Sequence, residues 1–231
     1  MTNTTKRVLT AIIMGLMAIA AGAGQYFGFK YFDVKILVGA IVIIMMVEWI
    51  YTVFNIDVRT IWAKRKNPRG KTRLSAWRKW MGFAGIVYFL FIMAPAADSV
   101  GARPWIVLLL LMTISAADIG AWFFGRLFGG DKMWERLSAG KTWAGQIAGI
   151  LCGTFAAVLY GLLGTDTFLP QLLWIGISVS LMSQYGDLTA SWIKRKLGVK
   201  DFGNILPGHG GIADRFDGWI YVLPIVWLVM L

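Results

Sequence analysis

A chain of 231 residues with 58% apolar and only 15% charged residues, and a mean hydropathy of +0.64, is too apolar for a soluble domain and falls in the polytopic membrane class. Its formal charge of +11 is no argument for nucleic acid, because basic residues gathered in the cytoplasmic loops of a membrane protein are what topology alone demands. The single cysteine, Cys152, excludes a disulfide framework and a cysteine-based metal site.

A bilayer core of roughly 30 Å takes about 20 apolar residues per helix. Seven stretches qualify, at about 8–29, 35–55, 80–97, 104–125, 144–164, 168–186 and 217–231, the last being short. The first follows MTNTTKR and is longer than a signal-peptide core, so it is expected to stay as an uncleaved span. A cytoplasmic N-terminus then puts 20 of the 23 Lys and Arg residues on the inner side, leaving Lys30, Lys35 and Arg103 outside. The expected fold is all-α: one polytopic membrane bundle of about seven helices over 1–231, with N-terminal spans and a basic loop in 1–100 and the chemistry in 104–231. The loop from Arg59 to Lys79 carries nine basic residues and no acid. It would anchor the topology or attract anionic lipid at about 1 kcal/mol per residue.

Span five carries Gly145, Gly149, Gly153, Ala157 and Gly161 on one face, a stripe that admits a close neighbouring helix. Internal packing is preferred to a dimer seam, and a homodimer stays open. Three acids fall within spans, where a carboxylate costs about 2.5–3.5 kcal/mol on insertion scales. Glu48 reads equally well as packing or function and is left outside the site. Asp118 lies about two turns from the cytoplasmic end of span four. Asp187 ends span six at the same side, so the two could line one cytoplasm-facing polar cavity. A helix continuing from Asp187 places Ser191, Lys194 and Arg195 on its face.

From Ser191 to Asp217 the chain reads SWIKRKLGVKDFGNILPGHGGIADRFD, a polar segment between apolar runs. Lys200 and Asp201 precede Gly203, Pro207, Gly208, Gly210 and Gly211, a stretch too rich in breakers for a regular helix. Glycine-rich backbone can turn N–H groups toward phosphate. A helix beginning near Ile212 would set Asp214 and Asp217 on one face beside Arg215. Carboxylates for a hard divalent cation, together with lysines and arginines for polyphosphate, point to magnesium-dependent phosphoryl or nucleotidyl transfer.

Ser191, Lys194, Arg195, Lys200, Asp201, Pro207, His209, Gly210, Gly211, Asp214, Arg215 and Asp217 fall at the spacing of the signature of the phosphatidate cytidylyltransferases, or CDP-diacylglycerol synthases. The chain resembles that family upstream as well. Asp118-Ile-Gly-Ala-Trp with Phe124-Gly125-Arg126 is similar to its D-x-G-A-Y…GR stretch, Ser138-Ala-Gly140-Lys141-Thr142-Trp143-Ala-Gly145 to its S-P-x-K-T-x-E-G, and Gly186-Asp187-Leu188 to its G-D-L. Ala139 departs from the usual proline and Ala144 from the usual acidic or amide residue. Gly140-Lys141-Thr142 is no P-loop, since Glu135 stands where the first glycine belongs.

The resemblance implies that a phosphate oxygen of phosphatidate attacks the α-phosphorus of CTP, giving CDP-diacylglycerol and pyrophosphate for phospholipid synthesis. It implies Mg²⁺, with room for a second metal ion, on Asp187 and Asp214, with Asp118 and Asp217 as further ligands or their supports. Lys141, Lys194, Arg195, Lys200 and Arg215, with Asp201, Gly210 and Gly211, would serve triphosphate or lipid phosphate. His209 would donate a hydrogen bond to phosphate or act as a structural loop residue. The site would face the cytoplasm from a bacterial inner membrane, meeting CTP in water and phosphatidate among membrane lipids. The alternatives are a related lipid cytidylyltransferase, a CTP-dependent lipid kinase and, from another class, a membrane transporter.

Overall fold

The computed structural model describes residues 34–54, 76–134, 138–164, 169–203, 205 and 210–230. The expected first span, most of the basic Arg59–Lys79 loop, Pro207, Gly208 and His209 lie outside them.

Helix α1 (Val34–Phe54) corresponds to the second expected span. The third is one helical run built of α2 (Ala76–Tyr88), a π-turn (Phe89–Met93) and α3 (Ala94–Gly101). Pro95 accounts for the π-turn: without an N–H it cannot continue the ladder, and its ring crowds the carbonyl four residues back. The Ala94 N–H accordingly bonds to the Phe89 carbonyl, five residues away. Helix α4 (Pro104–Phe128) starts on a proline, whose missing N–H costs nothing at a first-turn position. It ends at Gly129 and Gly130, both at positive φ (59° and 90°), which reverse the chain.

A two-stranded antiparallel ribbon follows, β1 (Lys132–Trp134) and β2 (Ser138–Thr142), pairing Lys132 with Thr142 and Trp134 with Ser138. The all-α expectation named no strand here. Helix α5 (Trp143–Gly164), α6 (Leu169–Leu197) and α7 (Trp219–Met230) complete the described chain.

Among the described residues, four helical runs are long and apolar enough to cross a membrane: Val34–Phe54, Trp77–Gly101, Pro104–Phe128 and Trp143–Leu163. Helix α6 has the length, at 29 residues, but carries a polar face. Its Ser180, Ser183 and Gln184 are buried, and the Gln184 side-chain amide donates to the Gln146 carbonyl at 3.4 Å. Helix α7, with Pro224 inside its 12 residues, spans about 18 Å at 1.5 Å per residue.

The chain divides into two compact units, Met1–Asp98 with Lys196–Phe216, and Ser99–Arg195 with Asp217–Leu231. Inside the second, the small-residue stripe packs internally. A Cβ on Gly145 would come within 2.6 Å of the Ala121 carbonyl oxygen, and one on Gly149 within 2.8 Å of the Ala117 carbonyl oxygen, both on α4. Gly153 faces Ser180 and Gly161 faces Leu172, both on α6. Absent side chains are what bring α4 and α6 against α5.

Candidate active site

In the second unit the candidate site is built around Asp187. Helix α6 does not stop there but runs on to Leu197 and ends before Gly198, whose φ of 73° suits a residue without Cβ. The expected stripe is therefore helical, with the Ser191 hydroxyl donating to Asp187 Oδ1 at 3.5 Å. Lys141 reaches Asp187 Oδ2 at 2.5 Å. Its position is set locally: β2 carries it, the Trp143 N–H bonds to the Asp131 carbonyl at 3.1 Å, and Thr142 Oγ1 accepts the Gly145 N–H at 3.1 Å as the cap of α5. Gly125 lets the end of α4 pass this cap, since a Cβ there would lie 3.0 Å from Thr142 Oγ1. Asp118, exposed on α4, lies within the electrostatic reach of both Asp187 and Lys141.

Lys194 takes a different partner from Asp187. Its Nζ stands 3.7 Å from Asp217 Oδ2, with side-chain exposures of 11% and 15%, so this pair is withdrawn from solvent. Gly186 makes the approach possible: a Cβ there would be 2.6 Å from the Asp217 carbonyl oxygen and 3.0 Å from Gly218 Cα. Arg195 and Tyr185 are exposed on the same helix. Arg126, from the expected F-G-R stretch, lies over the Trp122 ring at 4.9 Å.

The polar segment of the first unit is organised by two carboxylates. Asp214 Oδ2 accepts the N–H groups of Phe202 and Gly211, each at 2.9 Å. Gly210, at φ 86°, closes the turn, and a Cβ on it would come within 3.0 Å of Asp214 Oδ2 and 3.3 Å of Asp201 Cγ. Thus the Gly211 amide, expected to face phosphate, is engaged by Asp214. Lys200, Asp201 and Arg215 are exposed.

The helix expected from Ile212 is not there. One turn forms, with the Arg215 and Phe216 amides on the Ile212 carbonyl, and α7 begins only at Trp219. Asp214 and Asp217 therefore do not share a regular helix face. The reason is local competition: a short carboxylate that bonds nearby backbone amides favours a turn over a helix.

The second organising carboxylate is Glu48, which the sequence left outside the site. Its Oε1 and Oε2 accept the Ile212 N–H at 3.1 Å and the Ala213 N–H at 2.7 Å, and the residue is 3% exposed. The signal available in the sequence was its cost, an acid deep in an apolar span. Among the described residues no group of three or more His, Cys, Asp or Glu side chains is arranged to hold a metal ion.

Residues 51–231 match the cytidylyltransferase family. The chain belongs to that family. It is 40% identical over 126 residues to the phosphatidate cytidylyltransferase of Staphylococcus saprophyticus, covering 54% of this chain and 48% of the relative. It is 37% identical over 144 residues to that of Staphylococcus haemolyticus (62% and 54%) and 35% identical over 164 residues to that of Brucella suis (67% and 59%). The chain thus spans about half the length of the curated relatives it matches.

Proposed function

We propose that this protein transfers CMP from CTP to phosphatidate, giving CDP-diacylglycerol and pyrophosphate. The observation that carries the reading is the Lys141–Asp187 pair with Asp118 in its field, in a chain whose relatives bear the name of that activity. A non-bridging oxygen of the lipid phosphate forms the new bond to the α-phosphorus of CTP as the bond from that phosphorus to the β-phosphate oxygen breaks. The attacking oxygen is already anionic near neutral pH, so no base is required. Pyrophosphate leaves with the electron pair, and cationic side chains offset its charge. Lys141 and Lys194 are each paired with a carboxylate, and Arg195, Lys200 and Arg215 have exposed side chains.

Asp118 and Asp187 suit a hard divalent cation such as Mg²⁺, which takes one or two protein carboxylates and completes its shell with substrate phosphates and water. Bound there, it would supply positive charge to the transferring phosphoryl group. Lys141, now on Asp187, would then be available to the triphosphate. Asp214 is the further metal-binding candidate, and His209 a candidate donor to phosphate.

The same reading makes the protein a seven-span enzyme of a bacterial inner membrane, its basic loops and its site on the cytoplasmic side. CTP would arrive from water, and phosphatidate laterally with its acyl chains in the bilayer. The deciding measurement is transfer of label from CTP to lipid by purified protein with phosphatidate and magnesium. Label from the α-phosphate is expected in the lipid, with release of pyrophosphate. Label from the γ-phosphate would make the protein a lipid kinase, and neither label would favour a transporter.

A further inference from the structure

We infer that Glu48 is a positioning residue of the cytidylyl-transfer site, acting through the backbone of the loop that carries Asp201, Asp214 and Arg215. This rests on the function proposed above and assigns a part to α1, whose Glu48 lies outside residues 51–231, the stretch matched by the family.

A carboxylate in an apolar helix is costly to insert, and here the cost is met by backbone donors. Both oxygens are occupied, one by the Ile212 amide and the other by the Ala213 amide, immediately before Asp214. The loop backbone is shaped to reach it. A Cβ on Gly211 would lie 2.5 Å from either Glu48 oxygen, and one on Gly203 would collide with Glu48 Oε1.

Two neighbours on α1 hold the other end of the same loop. Thr52 Oγ1 donates to the Phe202 carbonyl at 2.5 Å, and the Trp49 ring packs on the Phe202 ring with centroids 5.8 Å apart. Phe202 in turn gives its N–H to Asp214. Glu48, Trp49 and Thr52 thus grip both strands of the loop, and Asp214 ties those strands together between them. The Glu48 carboxylate accepts two backbone amides of the loop, so its effect on the reaction passes through the loop.

The experiment uses the full chain in lipid nanodiscs and compares wild type with Glu48→Ala, Glu48→Gln and Gly203→Ala. Deuterium uptake is read in peptides spanning 201–217, and kcat and KM for CTP are read from pyrophosphate release with phosphatidate and magnesium. In Glu48→Ala, exchange at Ile212 and Ala213 is expected to rise at least about tenfold, and kcat to fall about a hundredfold, as for misplacement of a reacting group by about 1 Å. The fall in kcat should exceed any rise in KM.

Glu48→Gln keeps one acceptor oxygen and the volume, and is expected to recover about tenfold of that loss. Gly203→Ala should imitate Glu48→Ala by displacing the carboxylate. Unchanged exchange in Glu48→Ala would overturn the inference. So would a kcat within about twofold of wild type in folded Glu48→Ala, or in both other variants where the alanine protein does not fold. A wild type that releases no pyrophosphate sinks the proposed reaction instead, and the exchange measurement then decides alone whether Glu48 holds the loop.

Discussion

Two pairs of carboxylates in this molecule are satisfied in opposite ways. In the second compact unit Asp187 and Asp217 face lysines, Lys141 and Lys194. In the first, Glu48 and Asp214 face backbone amides. A lysine is a flexible point charge that can leave its partner for a phosphate, whereas a backbone amide is fixed by the fold. Of the two lysine-paired carboxylates, Asp187, with its side chain 39% exposed, is suited to exchange partners, whereas Asp217 and Lys194 are withdrawn from solvent. The amide-paired ones are suited to hold a loop in one shape.

The largest effects should come from removing carboxylate charge. Asp187→Asn and Asp214→Asn are each expected to lower CTP-dependent formation of CDP-diacylglycerol roughly 10²- to 10³-fold, with normal protein levels in membranes. Asp214→Asn also tests the contrast itself. An amide oxygen can still accept the Phe202 and Gly211 bonds, so full activity in that variant would leave Asp214 a staple of the loop and remove it from metal binding.

The two lysines should then part company. Lys194→Met takes the lysine away from Asp217 in a place where the Asp217 side chain is 15% exposed. It is expected to cost about 2 kcal/mol of stability, below the roughly 3–5 kcal/mol of a well-formed buried pair because the separation is long. Lys141→Met leaves Asp187, 39% exposed, in contact with solvent, and should cost less than about 1 kcal/mol while lowering turnover. Thermal unfolding in detergent beside pyrophosphate release reads both quantities. Equal melting losses in the two variants would erase the distinction between a structural pair and an exchangeable one.

The parts of this arrangement that lie close in sequence, or repeat along a helix, were open to reading. Apolar length located α1, α4 and α5, and the spacing from Asp187 to Ser191 predicted a contact that helical geometry then makes. Long-range partners were not. Glu48 meets amides 164 and 165 positions away, and nothing in an apolar span announces which backbone will satisfy its acid. Lys194 shares a helix face with Asp187, yet its partner is Asp217, because Gly186 admits the chain at 217–218 so closely. The helix expected at Ile212 failed for a similar reason: Asp214 gains more from two loop amides than from a helix start. The ribbon at 132–142 was missed because its strands are only three and five residues long, too short for alternation to register.

The smallest effects separate packing from polar chemistry. Gly145→Ala puts a methyl 2.6 Å from the Ala121 carbonyl oxygen and 3.1 Å from Gly125 Cα. Those are backbone atoms with little freedom to retreat, so a loss of about 1–3 kcal/mol is expected. The same substitution at Gly39 on α1 meets nothing within 4 Å and should stay within about 0.5 kcal/mol of wild type. The pair of variants makes the same chemical change in two helices and differs only in what stands opposite. A comparable loss at Gly39 would mean that α1 has a close neighbour on that face too, and that Glu48 is fixed by helix packing as well as by the loop it holds.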